Sequence, residues 1–152
     1  MRYYPIQLDV QGRRCLVVGG GGVGTRKAQS LLACGGAVTV VSPAATEELQ
    51  RLAARGDLAL RMREYDGADL EGVFLVIGAT DDETLNRRVS ADAERRGILC
   101  NIADRPEKCN FILPAVVRRG DLVLTVSTSG RSPALAKKLR RSLQTQFGEE
   151  YA

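Results

Sequence analysis

The sequence predicts an α/β domain with a doubly wound parallel sheet, followed by a small β-hairpin-plus-helix region. Three observations carry this. Strand-type and helix-type runs alternate as far as residue 103. The strand-type runs are almost continuously apolar, as strands covered on both faces are. After residue 104 the alternation gives way to two β runs and one helix. The length of 152 residues allows one ordinary domain with a small appendage and no separate substrate domain.

In chain order, residues 13–18 (RRCLVV) are a short apolar run ending in glycines and read as the first strand. Residues 22–34 read as a helix with Ala28, Leu31 and Leu32 on one face, stopped by Gly35 and Gly36. Residues 37–41 (AVTVV) are a second buried strand. Residues 46–55 form a helix with Leu49, Leu52 and Ala53 aligned, and residues 58–63 alternate like a half-solvated strand. Residues 73–77 (VFLVI) are the most apolar run and lead through GATDD into a helix ending near Arg96. Leu85, Val89 and Ala93 stripe that helix, Thr80 or Asp81 caps its first amides, and Gly97 stops it. Residues 98–103 are the fifth strand.

Residues 105–108 then form a turn, and residues 111–117 and 122–127 form a hairpin joined by RRGD. Ser132 as N-cap, with Pro133 at the first helical position, starts a last helix running to about Phe147. Leu135, Leu139, Leu143 and Phe147 recur along it every fourth residue. A hairpin and one helix bury little by themselves, so this region is expected to pack on the first domain or on a second copy of the chain.

Composition excludes several classes. Apolar residues make up 44% and charged residues 26%, which is globular rather than disordered. No apolar run approaches eighteen residues, and the N-terminus lacks a signal-peptide stretch, so the expectation is a cytoplasmic protein complete at its start, without a membrane partner. Histidine is absent, which removes His-based triads and His-dependent zinc motifs. The four cysteines, Cys15, Cys34, Cys100 and Cys109, show no C-x-x-C spacing; Cys15 and Cys100 fall in apolar runs. The net charge of +4 comes with 18 Arg and 4 Lys, scattered rather than clustered, and aromatics are only 5%. That argues against nucleic acid. The surplus reads as an Arg-biased surface, or as a site for an anionic small molecule.

The run at residues 17–24 contains G-x-G-x-x-G as Gly19, Gly21 and Gly24, after a strand and at the start of a helix. In that context the first glycine permits the tight turn, the second lets the backbone approach a pyrophosphate, and the third lets helix and strand pack closely. The helix-start amides, including those of Gly22 and Val23, then face the phosphates. The loop lacks the G-K-[ST] ending of a Walker loop. The ribose-binding acid expected after the second strand is replaced by Ser42, Pro43 and Ala44, so the loop leaves NAD against NADP open. The Tyr-x-x-x-Lys pair of short-chain dehydrogenases is absent as well, so the proton chemistry of a dehydrogenase here falls to a carboxylate or to water.

Four segments together resemble the precorrin-2 dehydrogenase/sirohydrochlorin ferrochelatase module of siroheme synthase. They are residues 17–27 (VVGGGGVGTRK), 73–86 (VFLVIGATDDETLN), 101–114 (NIADRPEKCNFILP) and 127–136 (STSGRSPALA), in family order and spacing. The resemblance implies a Rossmann-type domain over residues 1–113 and a dimerisation and substrate-cleft region over residues 114–152, with the family's C-terminal helical region and methyltransferase domain missing. It implies NAD-dependent oxidation of precorrin-2 to sirohydrochlorin by a homodimer, with Fe²⁺ insertion as a second reaction in many members. Asp104 matches the catalytic aspartate, which would also be the transient metal contact of a chelatase. Gly22, Val23, Pro43 and Ala44 match NAD contacts.

Physical reasoning sits beside this. Asp104 follows the fifth strand at its C-terminal end, where ligands of open α/β sheets bind, and a carboxylate there can take a proton. By spacing alone it is equally an Asp that opens the Arg-Pro turn. Thr80 lies beside the expected cofactor crevice. The eight carboxylates of precorrin-2 give the basic residues a use, with Arg105, Lys108, Arg118, Arg119 and Arg131 as candidates. Thr128, in the Ser-rich loop, is either a substrate hydroxyl or a turn cap. The alternative to an enzyme is a non-enzymatic NAD(H)-sensing Rossmann module, which leaves residues 104–114 without a purpose; a chelatase lacking dehydrogenase activity is a third reading.

Overall fold

The computed structural model describes all residues, 1–152. The chain forms two compact units. One holds Ile6–Phe111; the other holds Ile112–Ala152 together with Met1–Pro5. The division therefore falls after Phe111, and the first five residues belong with the C-terminal unit.

The larger unit runs β1 Arg14–Val18, α1 Gly22–Ala33, β2 Ala37–Val41, α2 Glu47–Ala54, β3 Ala59–Arg61, a 3-10 turn Gly67–Leu70, β4 Leu75–Gly78, α3 Glu83–Arg96, β5 Leu99–Ile102 and a 3-10 turn Pro106–Lys108. Its five strands are all parallel, in the order β3-β2-β1-β4-β5. This is the doubly wound arrangement expected, with the chain reversing direction across the sheet between β1 and β4. Strand side chains alternate between faces, so consecutive residues of β1 serve different cores. Val17 joins Val40, Ala28 and Leu49 on one face. Leu16 and Val18 join Val41, Val76 and Val89 on the other. Each fully buried Val or Leu among them contributes about 1.5–3 kcal/mol, and the two clusters together hold the sheet covered on both sides.

The register sets up the site. Val18 pairs with both Val41 and Gly78, Val41 pairs with Arg61, and Gly78 with Ile102. The last residues of all five strands therefore lie in one row, and the loops that follow them emerge side by side.

Three local expectations are corrected. The cap of α3 is Asp82, whose carboxylate accepts from the amides of Thr84 and Leu85. Thr80 and Asp81 sit too early to reach them, and the Thr80 hydroxyl instead accepts from the Asp82 amide. β3 is only three residues long, because Leu58 turns into the core and Arg63 leaves the strand to meet Asp69. In the smaller unit β6 is Ala115–Arg119 and β7 is Leu122–Val126, so Arg118 and Arg119 are strand residues and only Gly120 and Asp121 make the turn. Gly120 takes φ 54° there, the left-handed value a two-residue hairpin loop needs.

The last helix, α4, is Pro133–Gln146, with the Ser132 hydroxyl accepting from the Leu135 amide as its N-cap. Its other end is closed by Arg119, whose Nε donates to the Phe147 carbonyl at 2.9 Å and whose Nη2 donates to the Gln144 carbonyl at 3.2 Å. Within this unit only Val117 and Ala136 are buried apolar residues, while Leu135 is 46% and Leu139 43% exposed. No helix of the protein is long and apolar enough to cross a membrane.

Candidate active site

The glycine loop occupies the crevice where the sheet reverses. Gly19 has φ 123°, and a Cβ there would stand 2.4 Å from the Ala79 carbonyl, so the loops after β1 and β4 touch through bare backbone. A Cβ on Gly24 would stand 2.0 Å from the Gly19 carbonyl, so α1 packs on the loop at a distance only glycine permits. Gly20 is equally constrained, 2.1 Å from the Ala44 carbonyl; spacing does not single it out, because it is not a motif position. Gly21 is different: a Cβ would meet nothing within 4 Å. Its freedom faces open space, as required where a pyrophosphate must come close to the backbone.

The start of α1 is left available for an anion. Its N-cap, Gly21, offers no side-chain oxygen to the first amides, and the first turn carries no acid. Gly21 and Gly22 are exposed and Val23 half-buried at this end. These features fit the phosphate moiety of a dinucleotide. Two residues that the sequence gives no reason to select hold the loop in shape. The Thr25 hydroxyl bonds the Gly21 carbonyl at 2.8 Å and lies 2.7 Å from the Thr46 hydroxyl, which also caps α2 through the Leu49 amide. The Thr46 amide in turn donates to the Gly20 carbonyl.

Ser42 directly follows β2, half-buried, with Pro43 and Ala44 exposed beside the loop. The Ser42 amide donates to the carbonyl of Arg61 on the neighbouring strand. The Arg61 and Arg63 guanidiniums both bond the Asp69 carboxylate, at 2.9 and 2.6 Å, and Asp69 also accepts from the Asp66 amide. Asp69 is only 6% exposed, and these donors, Arg63 first, hold its carboxyl down at about 2. Thr80 lies at the opposite lip, half-buried, its carbonyl taking a 2.8 Å bond from the side-chain amide of Asn86. Asn86 is 3% exposed and is another tether that periodicity does not reveal; its Oδ1 has no partner.

Asp104 comes two residues after β5 and is exposed. The Ala103 amide donates to the Gly78 carbonyl, so this turn is attached to the end of β4, whose own loop touches Gly19. The glycine loop, the Thr80 loop and the Asp104 turn thus form one continuous lip. Asp104 has φ 61°, a left-handed conformation that side-chain-bearing residues seldom adopt and that costs about 1–3 kcal/mol. The 101–114 segment beyond it clasps the free edge of β5. The Asn110 Oδ1 accepts from the Cys100 amide at 2.8 Å, and its Nδ2 donates to the Ile98 carbonyl at 3.0 Å. The Asn101 Nδ2 donates to the Phe111 carbonyl. The Cys109 sulfur accepts from the Ile102 amide at 3.0 Å.

Several of the basic candidates have partners. Arg105 is paired with Glu83 at the start of α3. Lys108 is half-buried, its carbonyl held by the Ser90 hydroxyl. In the smaller unit, the Arg119 guanidinium is bonded to the carbonyls at the end of α4, a structural task. Arg118 and Arg131 are exposed, and the Thr128 hydroxyl accepts from the Ser132 amide at 2.9 Å, inside the turn that leads to α4. No disulfide joins the four cysteines, and Cys15 and Cys100 are buried; burial pushes the Cys100 thiol up to about 12. No group of three or more His, Cys, Asp or Glu is assembled for a metal ion.

Comparison with known proteins agrees with this geometry. Residues 6–115 match the family model described as "Putative NAD(P)-binding", and residues 119–146 match "Sirohaem biosynthesis protein central". The siroheme synthase of Nitrosococcus oceani is 41% identical over 151 residues, 99% of this chain and 32% of the relative. That of Ectopseudomonas mendocina is 44% identical over the same share of each. The chain therefore spans about a third of the length of the curated relatives it matches. Among solved structures, SirC, a precorrin-2 dehydrogenase, superposes with a TM-score of 0.85 at 35% identity, covering 98% of this chain and 73% of that one. With its glycine loop, parallel sheet and appended hairpin and helix matched over nearly their whole length, the chain belongs to the NAD-binding, siroheme-biosynthesis family that includes the precorrin-2 dehydrogenase SirC.

Proposed function

We propose that this chain is an NAD-dependent precorrin-2 dehydrogenase, oxidising precorrin-2 to sirohydrochlorin in siroheme biosynthesis. The observation that carries the reading is Asp104, held at φ 61° on the lip that the cofactor loop also forms. An exposed carboxylate at the C-terminal end of a parallel strand, on the lip that the cofactor loop shares, is placed to take a proton from a bound substrate. The likeness to SirC over 98% of the chain supports the substrate.

NAD⁺, when bound, supplies the acceptor for the hydride that leaves the macrocycle. The rest is the work of this chain. Gly21, Gly22 and Val23 bring backbone amides to the dinucleotide phosphates, while Gly19 and Gly24 let the loop pack closely enough on the sheet and on α1 to hold them there. Ser42, Pro43 and Ala44 border the ribose, and Thr80 the opposite lip. Asp104 takes the proton released as the ring system is oxidised, so that one hydride and one proton leave together. Arg105, Lys108, Arg131 and the Thr128 hydroxyl are the groups we assign to the substrate's carboxylates and periphery. Fe²⁺, as the substrate of a second step, would meet Asp104 transiently while the carboxylate removes the pyrrole protons.

We further assign the protein to the cytoplasm and to a homodimer. The smaller unit buries little apolar surface and leaves Leu135 and Leu139 exposed, which a second copy would cover. Light scattering at micromolar concentration checks this, and a monomeric mass refutes it.

The test of activity is direct. Incubation with precorrin-2 and NAD⁺ should yield the sirohydrochlorin spectrum with NADH in equal amount, and Asp104→Ala should abolish turnover while NAD⁺ still binds. Nucleotide binding without turnover, substrate and cofactor being intact, would favour a sensing module. Addition of Fe²⁺ to the product, read by the siroheme spectrum, shows whether the second reaction is present.

A further inference from the structure

We infer that Cys109 is a positioning residue for Asp104, its thiol clasping the two peptide groups that flank the aspartate's turn. This rests on the reading of Asp104 as catalytic. The sulfur accepts from the Ile102 amide at 3.0 Å, and it lies 3.3 Å from the Ile102 carbonyl and 3.1 Å from the Arg105 carbonyl. Ile102 precedes the Ala103–Asp104 pair and Arg105 follows it. One side chain therefore grips both ends of the turn. The backbone itself contributes a single bond across it, from the Arg105 amide to the Ile102 carbonyl at 3.1 Å.

A left-handed non-glycine residue persists only where its surroundings over-determine it. Here the thiol supplies much of that determination. It needs the neutral form, since a thiolate has no proton to offer a carbonyl. The surroundings keep it neutral: burial pushes the Cys109 thiol above its ordinary range by more than the bond from the Ile102 amide pulls it down, and the Glu107 carboxylate adds to the rise. The sulfur is itself fixed from both sides. The Cys109 amide donates to the Pro106 carbonyl at 3.2 Å, and the neighbouring Asn110 amide donates to the Cys100 carbonyl at 3.1 Å. A merely edge-sealing role would need only the bond to the Ile102 amide. With its one proton the thiol donates to one carbonyl at a time, and the shorter contact, to Arg105 on the far side of the turn, points to the turn instead.

Two variants divide the possibilities. Cys109→Val keeps the volume and loses every hydrogen bond, while Cys109→Ser keeps a donor and acceptor and loses the volume. With saturating NAD⁺ and precorrin-2, Cys109→Val should lower kcat roughly tenfold to a hundredfold, the range of a displaced catalytic group. KM for NAD⁺ and calorimetric NAD⁺ affinity should stay as in the parent, and Cys109→Ser should recover most of the rate. Combining Cys109→Val with Asp104→Ala should cost nothing beyond Asp104→Ala alone. Three results overturn the inference: parental kcat in Cys109→Val while Asp104→Ala is inactive, equal loss in Ser and Val tracking a fall in melting temperature, or a fall in NAD⁺ affinity that accounts for the loss. If Cys109→Val does not fold, Cys109→Ser decides alone, since a folded Ser variant with strongly reduced kcat refutes the hydrogen-bonding role. Parental turnover in Asp104→Ala removes the catalytic reading of Asp104 and this inference with it, an outcome distinct from the others.

Discussion

Replacing Asp69 with Asn should destabilise the protein by about 2 kcal/mol at neutral pH and by almost nothing near pH 2. The carboxylate is nearly inaccessible, and the Arg63 and Arg61 guanidiniums and the Asp66 amide hold its pKa at about 2 against an ordinary 3.8. Each pKa unit corresponds to about 1.4 kcal/mol of preference for the charged form in the folded protein. The sign follows from the direction. A pKa lowered by folding contributes stability that is complete above the unfolded value and is lost as pH falls through the folded one. The stabilisation should therefore be full above about pH 5, roughly half remaining at pH 3 and nearly gone by pH 1–2. Urea unfolding of parent and Asp69→Asn, followed by circular dichroism at pH 7 and pH 3, measures the difference at each. The other carboxylates titrate in both proteins, so the gap isolates this one. A gap that does not narrow between pH 7 and pH 3, or one below about 0.5 kcal/mol at pH 7, the size of an ordinary surface substitution, would refute the electrostatic account.

The glycine loop predicts a contrast. Gly24→Ala places a methyl group 2.0 Å from the Gly19 carbonyl and should cost about 1–3 kcal/mol, seen as a lower melting temperature, with NAD⁺ affinity reduced as α1 is pushed away. Gly21→Ala meets open space, so it should melt like the parent and yet bind NAD⁺ more weakly by calorimetry, because the methyl takes the room of the phosphates. In the smaller unit, Arg119→Ala releases the Phe147 and Gln144 carbonyls and should cost about 1–3 kcal/mol, read as a loss of helical circular dichroism on mild heating.

The strands and the glycine loop were legible because apolar runs and a motif at a strand-to-helix junction are local signals. Gly19, Gly21 and Gly24 could be given their separate roles before any coordinates, since each role follows from position in the turn. The helix cap was harder. Thr80, Asp81 and Asp82 are all chemically able to cap, and only the path of the backbone selects Asp82. The tethers were out of reach for a stronger reason. Thr25 with Thr46, Asn86 with Thr80, and Cys109 with Ile102 are side-chain bonds across 21, 6 and 7 residues of sequence, and no periodicity marks them. Arg119 illustrates the converse: an Arg in an Arg-rich chain reads as surface or ligand-binding until its carbonyl partners are seen. The grouping of Met1–Pro5 with the C-terminal unit is likewise a property of the folded chain alone.

The side chains that clasp β5 also decide how the sheet ends. A border strand with bare amides and carbonyls invites a stranger's strand to add to it, which is the usual route to sheet-mediated aggregation. Here the outward amides of Cys100 and Ile102 are already taken by Asn110 and Cys109, and the Ile98 carbonyl by Asn110. At the opposite border β3 offers only three residues. One margin is closed by side-chain bonds and the other by brevity, so the five-stranded sheet can stop without a sixth strand and still resist polymerising edge to edge.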